Sequence, residues 1–98
     1  MVYRKGELNS AVLDRDYPHQ VALSAETVQA YFFAIRQIGE NLGMAPRGHS
    51  VRHNGKSYVV YCFADRVSAE QFREHFNGES FDPADRGRGN RWFEWNRP

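Results

Sequence analysis

The spacing of apolar positions changes several times along the chain, and each change marks an element. His19 to Leu23 alternates, with Val21 and Leu23 on one side, which predicts a short strand. Val28, Phe32, Ile35, Ile38 and Leu42 then recur at helical spacing, widened by Tyr31 and Ala34. This predicts a helix over residues 25–42. Ser24 caps it because its hydroxyl can accept from a first-turn amide, and Glu26 suits the positive end of the helix dipole. Gly43 stops it and Pro46 prevents its resumption.

Gly48 to His53 reads as a second strand and Lys56 to Phe63 as a third. Asn54-Gly55 between them tolerates positive φ at both positions and fits a type I′ hairpin turn. A two-residue turn pairs His53 with Lys56, Val51 with Tyr58 and His49 with Val60. Paired residues share a face. One face therefore carries His49, Val51, His53, Lys56, Tyr58, Val60 and Cys62. The other carries Ser50, Arg52, Ser57, Val59, Tyr61 and Phe63.

Asp65 and Ser68 each offer a cap for a second helix over 68–77, with Ala69, Phe72 and Phe76 as its inner stripe and Gly78 as its end. Glu79 to Phe81 supplies a fourth strand before Pro83. Near the start, Asn9 caps a short turn through Val12 and Leu13.

The order β-α-β-β-α-β predicts an α+β fold, a ferredoxin-like sandwich with a four-stranded antiparallel sheet and two helices on one face. Phe32, Ile35, Phe72 and Phe76 would form the helix-side core with Val21 or Leu23. Residues 1–17 read as an N-terminal arm, 18–83 as the domain and 84–98 as an arginine-, glycine- and aromatic-rich tail.

Composition narrows the function classes. Ninety-eight residues make one domain, and 41% apolar with 26% charged residues is ordinary for a folded chain. A formal net charge of +1 gives no strong overall field, so any attraction for a polyanion must come from a local patch. One cysteine, Cys62, leaves no intrachain disulfide and fits a reducing compartment. No apolar run approaches the roughly 20 residues of a membrane helix, and the first ten residues lack a signal-peptide core. These features point to a cytoplasmic protein of bacterial or phage type.

Asn54 to Gly78 resembles the second half of an RNA-recognition motif. Lys56, Ser57, Tyr58, Val59, Val60, Tyr61, Cys62 and Phe63 stand where that family has its third-strand octapeptide. SAEQFREHFNG is similar to its second helix and asparagine-glycine end. The resemblance implies that Lys56 contacts phosphate, that Tyr58 stacks on a base, and that Val59, Tyr61 and Phe63 face the helices. Val60 and Ala22 depart from the family, which places stacking aromatics at both positions. The YRKGEL start and CFAD segment are also similar to small uncharacterised bacterial proteins.

The tail adds Arg86, Arg88, Arg91, Trp92 and Trp95. Glycines between arginines let a backbone follow a phosphate chain, while tryptophans near the end of a small domain also serve as a packed lid. His49 and His53 share a strand face but lie about 13 Å apart at the usual rise, too far to share one ion. No metal site and no cofactor is expected. No nucleophile elbow or phosphate loop appears, so no catalytic residue is named, and Cys62 reads as an inert buried thiol.

Helices cover only one sheet face. The other presents Val51, Tyr58 and Val60, or else Val59, Tyr61 and Phe63, and requires a cover from the tail, a second copy or a ligand. The expected function is a non-enzymatic binding module, either a protein-interaction or self-associating adaptor or an inhibitor. Its binding surface would comprise Val51, His53, Lys56, Tyr58, Val60, Arg86, Arg88, Arg91, Trp92 and Trp95. A single-stranded RNA- or DNA-binding module using the same face and tail is the alternative, and a small ferredoxin-like enzyme is a third reading.

Overall fold

The computed structural model describes residues 9–97. The YRKGEL start and Pro98 lie outside them. Two strands and their turn follow directly from local chemistry. β2 (His49–His53) and β3 (Lys56–Phe63) pair antiparallel in the expected register, His53 with Lys56, Val51 with Tyr58 and His49 with Val60. Asn54 and Gly55 take φ of 53° and 78°, the positive values that an I′ turn requires. β1 (His19–Ser24) pairs with β3 on one side and with β4 (Glu79–Phe81) on the other, also antiparallel. The sheet order is β2-β3-β1-β4.

Four α-helices accompany the sheet among the described residues. α1 is Ser10–Asp16, capped by the Asn9 side chain, which accepts from the Val12 amide. Ser24 accepts from the Thr27 amide at the start of α2 (Ala25–Ala30). α3 spans Phe32–Asn41 and α4 spans Arg66–Phe76. Asp65 is the working cap of α4, accepting from both the amide and the hydroxyl of Ser68. The helix ends on Asn77 in the left-handed region, φ 54°.

The sheet is buried on both sides. Val21, Leu23 and Phe63 meet Ile35, Ala69, Phe72 and Phe76 on the helix side. Ala22, Val51, Tyr58, Val60, Cys62 and Phe81 form the opposite face, where Leu13 of α1 and Trp95 of the C-terminal segment pack on them. The four central residues of β1 are all buried, as a strand between two packed layers should be. The described part of the arm and the tail thus belong to the second layer. Gly48 marks a close backbone approach: a Cβ there would lie 2.0 Å from the Val60 carbonyl oxygen.

One expectation fails on the helix side. The helix predicted over 25–42 is broken at Tyr31, whose φ of −126° and ψ of 31° leave helical values. Phe32 is 50% exposed instead of joining the core. Three aromatics in succession exceed what the inward stripe accommodates. Tyr31 turns toward Phe76 with ring centroids 6.4 Å apart, and Ile35 takes the interior position.

Phe72 lies at the centre of that core, with ring centroids 5.0 Å from Phe63 and 5.1 Å from Phe76. Phe72→Ala should cost about 3–5 kcal/mol, the range for a buried phenylalanine, and Phe32→Ala less than about 1 kcal/mol. Urea unfolding of both variants checks the contrast. Equal losses would contradict this assignment of core and surface.

Candidate functional site

The residues expected to form a binding surface separate into two groups. Val51, Tyr58, Val60 and Trp95 are buried, Tyr58 at 9% exposure and Trp95 at 3%. Lys56, Arg88, Arg91 and Trp92 are exposed, and His53 is half-buried. The cover which that sheet face requires is the chain's own tail, so Val51, Tyr58, Val60 and Trp95 are packed in the interior and not presented as a binding surface. The C-terminal aromatics split in the same way, Trp95 inward and Trp92 and Phe93 outward.

Backbone pairing sets the tail in place. The Arg52 amide donates to the Phe93 carbonyl at 2.8 Å, and the Trp95 amide donates to the Arg52 carbonyl at 2.9 Å. The tail thereby satisfies an edge position of β2 that would otherwise be free for another chain. Trp95 then meets Tyr58 edge-on at 5.1 Å and Phe81 at 5.4 Å. The Arg97 guanidinium sits 4.5 Å from the Trp95 ring and pairs with Glu79. His53 Nδ1 donates to the Trp95 carbonyl at 3.1 Å, which fixes its proton on Nδ1 and leaves Nε2 to accept from the Asn54 side-chain Nδ2 at 3.2 Å.

A buried polar cluster lies at the other end of this layer. The Arg86 side chain is only 8% exposed. Its Nη1 donates to Asp14 Oδ2 at 2.5 Å and its Nη2 to His49 Nε2 at 2.7 Å. Gln20 Nε2 donates to Asp14 Oδ1 at 3.0 Å and to the Tyr17 carbonyl at 3.1 Å. α1, β1, β2 and the tail are thus joined through four side chains. Arginine only donates, so His49 Nε2 must present a lone pair and the proton sits on Nδ1. The same nitrogen cannot then donate to Gln20 Oε1, 3.2 Å away. Arg86 Nε and Trp95 Nε1 are buried without a hydrogen-bond partner. Both residues lie beside Phe81, the Arg86 guanidinium carbon 5.5 Å and the Trp95 ring 5.4 Å from its ring centroid.

Electrostatics here oppose an imidazolium. Burial, then the neighbouring Arg86, pushes His49 down to about 4, against a smaller opposite pull from Asp14. Burial also pushes the Cys62 thiol up to about 12, so it is a packing group and not a nucleophile. Among the described residues no three His, Cys, Asp or Glu side chains gather as a metal group, and no helix is long and apolar enough to cross a membrane.

Two surfaces remain accessible. One is the tail edge, where Arg52, His53, Asn54, Phe93 and Arg97 line a groove of about 590 Å³, with Lys56, Arg88 and Trp92 exposed elsewhere on the hairpin and tail. The other is an aromatic outcrop on the helix layer, Tyr31, Phe32 and Phe33, with Phe33 at 85% exposure. Sequence reasoning assigned Tyr31 and Phe32 to the apolar stripe and so missed the outcrop. The run of three aromatics in one helix was its signal. The polar cluster was half legible, since alternation puts Gln20 and His49 on the face opposite Val21 and Leu23. No protein family, curated protein or solved structure matches this chain.

The cluster predicts a specific pH dependence. His49 ordinarily titrates at 6.5 and is held down to about 4 in the fold, so the unfolded chain binds a proton first as pH falls. Stability tied to neutral His49 is complete above about pH 6.5, declines as pH drops toward 4, and is flat below. The loss is at most about 3 kcal/mol. Denaturation midpoints of wild type and His49→Gln between pH 7 and pH 4 check this (about 3 pH units, spanning the window). The variant should lack this component, and parallel curves would contradict it.

Proposed function

We propose that this chain is a small protein-interaction module of ferredoxin-like type that docks through its helix layer. The sheet order β2-β3-β1-β4, with helical crossovers from β1 to β2 and from β3 to β4, supports the ferredoxin-like reading. The observation that carries the functional reading is the outcrop Tyr31–Phe32–Phe33. Both sheet faces are covered, yet these three aromatics stand in solvent together, and Phe32 and Phe33 meet edge-on at 5.6 Å. Aromatic clusters of this kind are over-represented at the centres of interfaces and carry much of their energy.

A second reading is favoured by the tail. Arg88 makes no ion pair among the described residues, and Lys56 and Trp92 are exposed with it. Exposed basic and aromatic side chains on the hairpin and tail suit a single-stranded nucleic acid, bound there and not on the sheet face. Tyr58 has no part in that reading, because Trp95 covers it.

Affinity capture from the native host, with and without nuclease, separates the two. The first reading expects a defined protein, retained after nuclease, that Phe32→Ser/Phe33→Ser loses and Arg88→Ala/Lys56→Ala keeps. Equal recovery by wild type and the aromatic variant contradicts it. Loss of all recovery on nuclease treatment, with dependence on Arg88 and Lys56, favours the second.

A further inference from the structure

We infer that the partner on the helix layer is a second copy of this chain, joined by reciprocal insertion of Phe33 into a recess beside α3. The inference rests on the protein-interaction reading and names its partner. Its basis is that knob and socket lie side by side, Phe33 and the socket residue Ala34 being neighbours on α3. Phe33 is the knob, the most exposed large apolar side chain among the described residues. The socket is a recess of about 430 Å³ between the α2–α3 break and α4, lined by Thr27, Tyr31, Ala34, His75, Phe76 and Asn77. Ala34, whose small side chain leaves the recess open, is the residue next to Phe33.

Two such elements related by a two-fold axis satisfy each other. The knob of each copy meets the socket of the other, which is the isologous arrangement that closes at two subunits. A partner with only a socket would leave the recess on this chain empty. Surrounding charge agrees. One turn on from Phe33 along α3 stand Arg36 and Gln37, and Arg36 pairs with Glu40 at 3.3 Å. Burying this rim strands no unpaired charge. The formal net charge of +1 adds little repulsion between copies. Area agrees as well. The exposed parts of Tyr31, Phe32 and Phe33 amount to roughly 300–480 Å² per copy, taking 150–250 Å² per aromatic residue. That is about half of the ~800 Å² per partner of a standard interface, a suitable size for its apolar centre.

Sedimentation equilibrium of the full chain from micromolar to millimolar concentration tests this. Wild type should dimerise reversibly. Phe33→Ser, at an exposed site, should raise the dissociation constant at least about 30-fold, the loss expected for an interface hot spot. Ala34→Leu fills the socket and should weaken the dimer comparably with Phe33 intact. If Ala34→Leu does not fold, His75→Trp, at an exposed position of α4, narrows the same socket. An equimolar mixture of the knobless and socket-filled variants should form a heterodimer tighter than either homodimer, because one knob-socket contact is restored. A monomeric wild type overturns the inference, as does undiminished dimerisation of Phe33→Ser or failure of the mixture to recover affinity. If wild type is monomeric but capture of a host protein still requires Phe32 and Phe33, the second copy is wrong and the protein-interaction reading stands. Loss of both removes the reading itself.

Discussion

The Arg86 guanidinium ties together parts of the chain that lie far apart in sequence. It reaches Asp14 across a separation of 72 residues and His49 across 37, so one side chain fastens both covers of the second sheet face. It acts beside the backbone pairing of Arg52 with Phe93 and Trp95, which holds the tail on the edge of β2 over Val51, Tyr58 and Val60. A buried ion pair adds little net stability over apolar packing, because desolvating both charges offsets their attraction. Its effect is on specificity. Removing one partner strands the other in the interior, which makes alternative placements of the tail costly.

This closure changes which parts of the molecule are left to act. A small domain with a bare sheet face would use that face. Here the chain places its own Trp95 and α1 on it, and the most exposed aromatic side chains lie on the helix layer. The break at Tyr31 is the origin of that shift. Where the backbone leaves helical values, Phe32 and Phe33 turn outward and Ile35 resumes the inward stripe. The half-satisfied contacts at His49 and the unpartnered Arg86 Nε make the polar cluster the point of least margin in the second layer.

Elements governed by short-range chemistry were legible in the sequence. The β2–β3 register follows from a two-residue turn, and the helix starts follow from Asn9, Ser24 and Asp65, whose side chains accept from nearby amides. The opposed faces of β3 follow from alternation alone. The fate of the tail was not legible, because Trp95 and Arg86 are held by partners distant in sequence, and a tail of arginines, glycines and aromatics suits both a lid and a binding arm. The break at Tyr31 was hidden because an apolar stripe continues through it without Gly or Pro. The candidate site was thus legible in its residue types and misplaced in its geometry: Tyr58, Val60 and Val51 went inside, and Tyr31 and Phe32, read as part of the apolar stripe, joined Phe33 in the outcrop.

Amide hydrogen exchange tests the covered sheet face most directly. The Arg52 and Trp95 amides donate across the tail–β2 contact. They should exchange slowly in wild type, at rates approaching those of β1 and β3, since opening them requires lifting the buried Trp95 from the sheet. In Arg86→Ala these two amides should lose protection well before Val21 and Tyr61 do. Rapid exchange of Arg52 and Trp95 in the wild-type protein, with β1 and β3 still protected, would show that the tail does not close over the sheet.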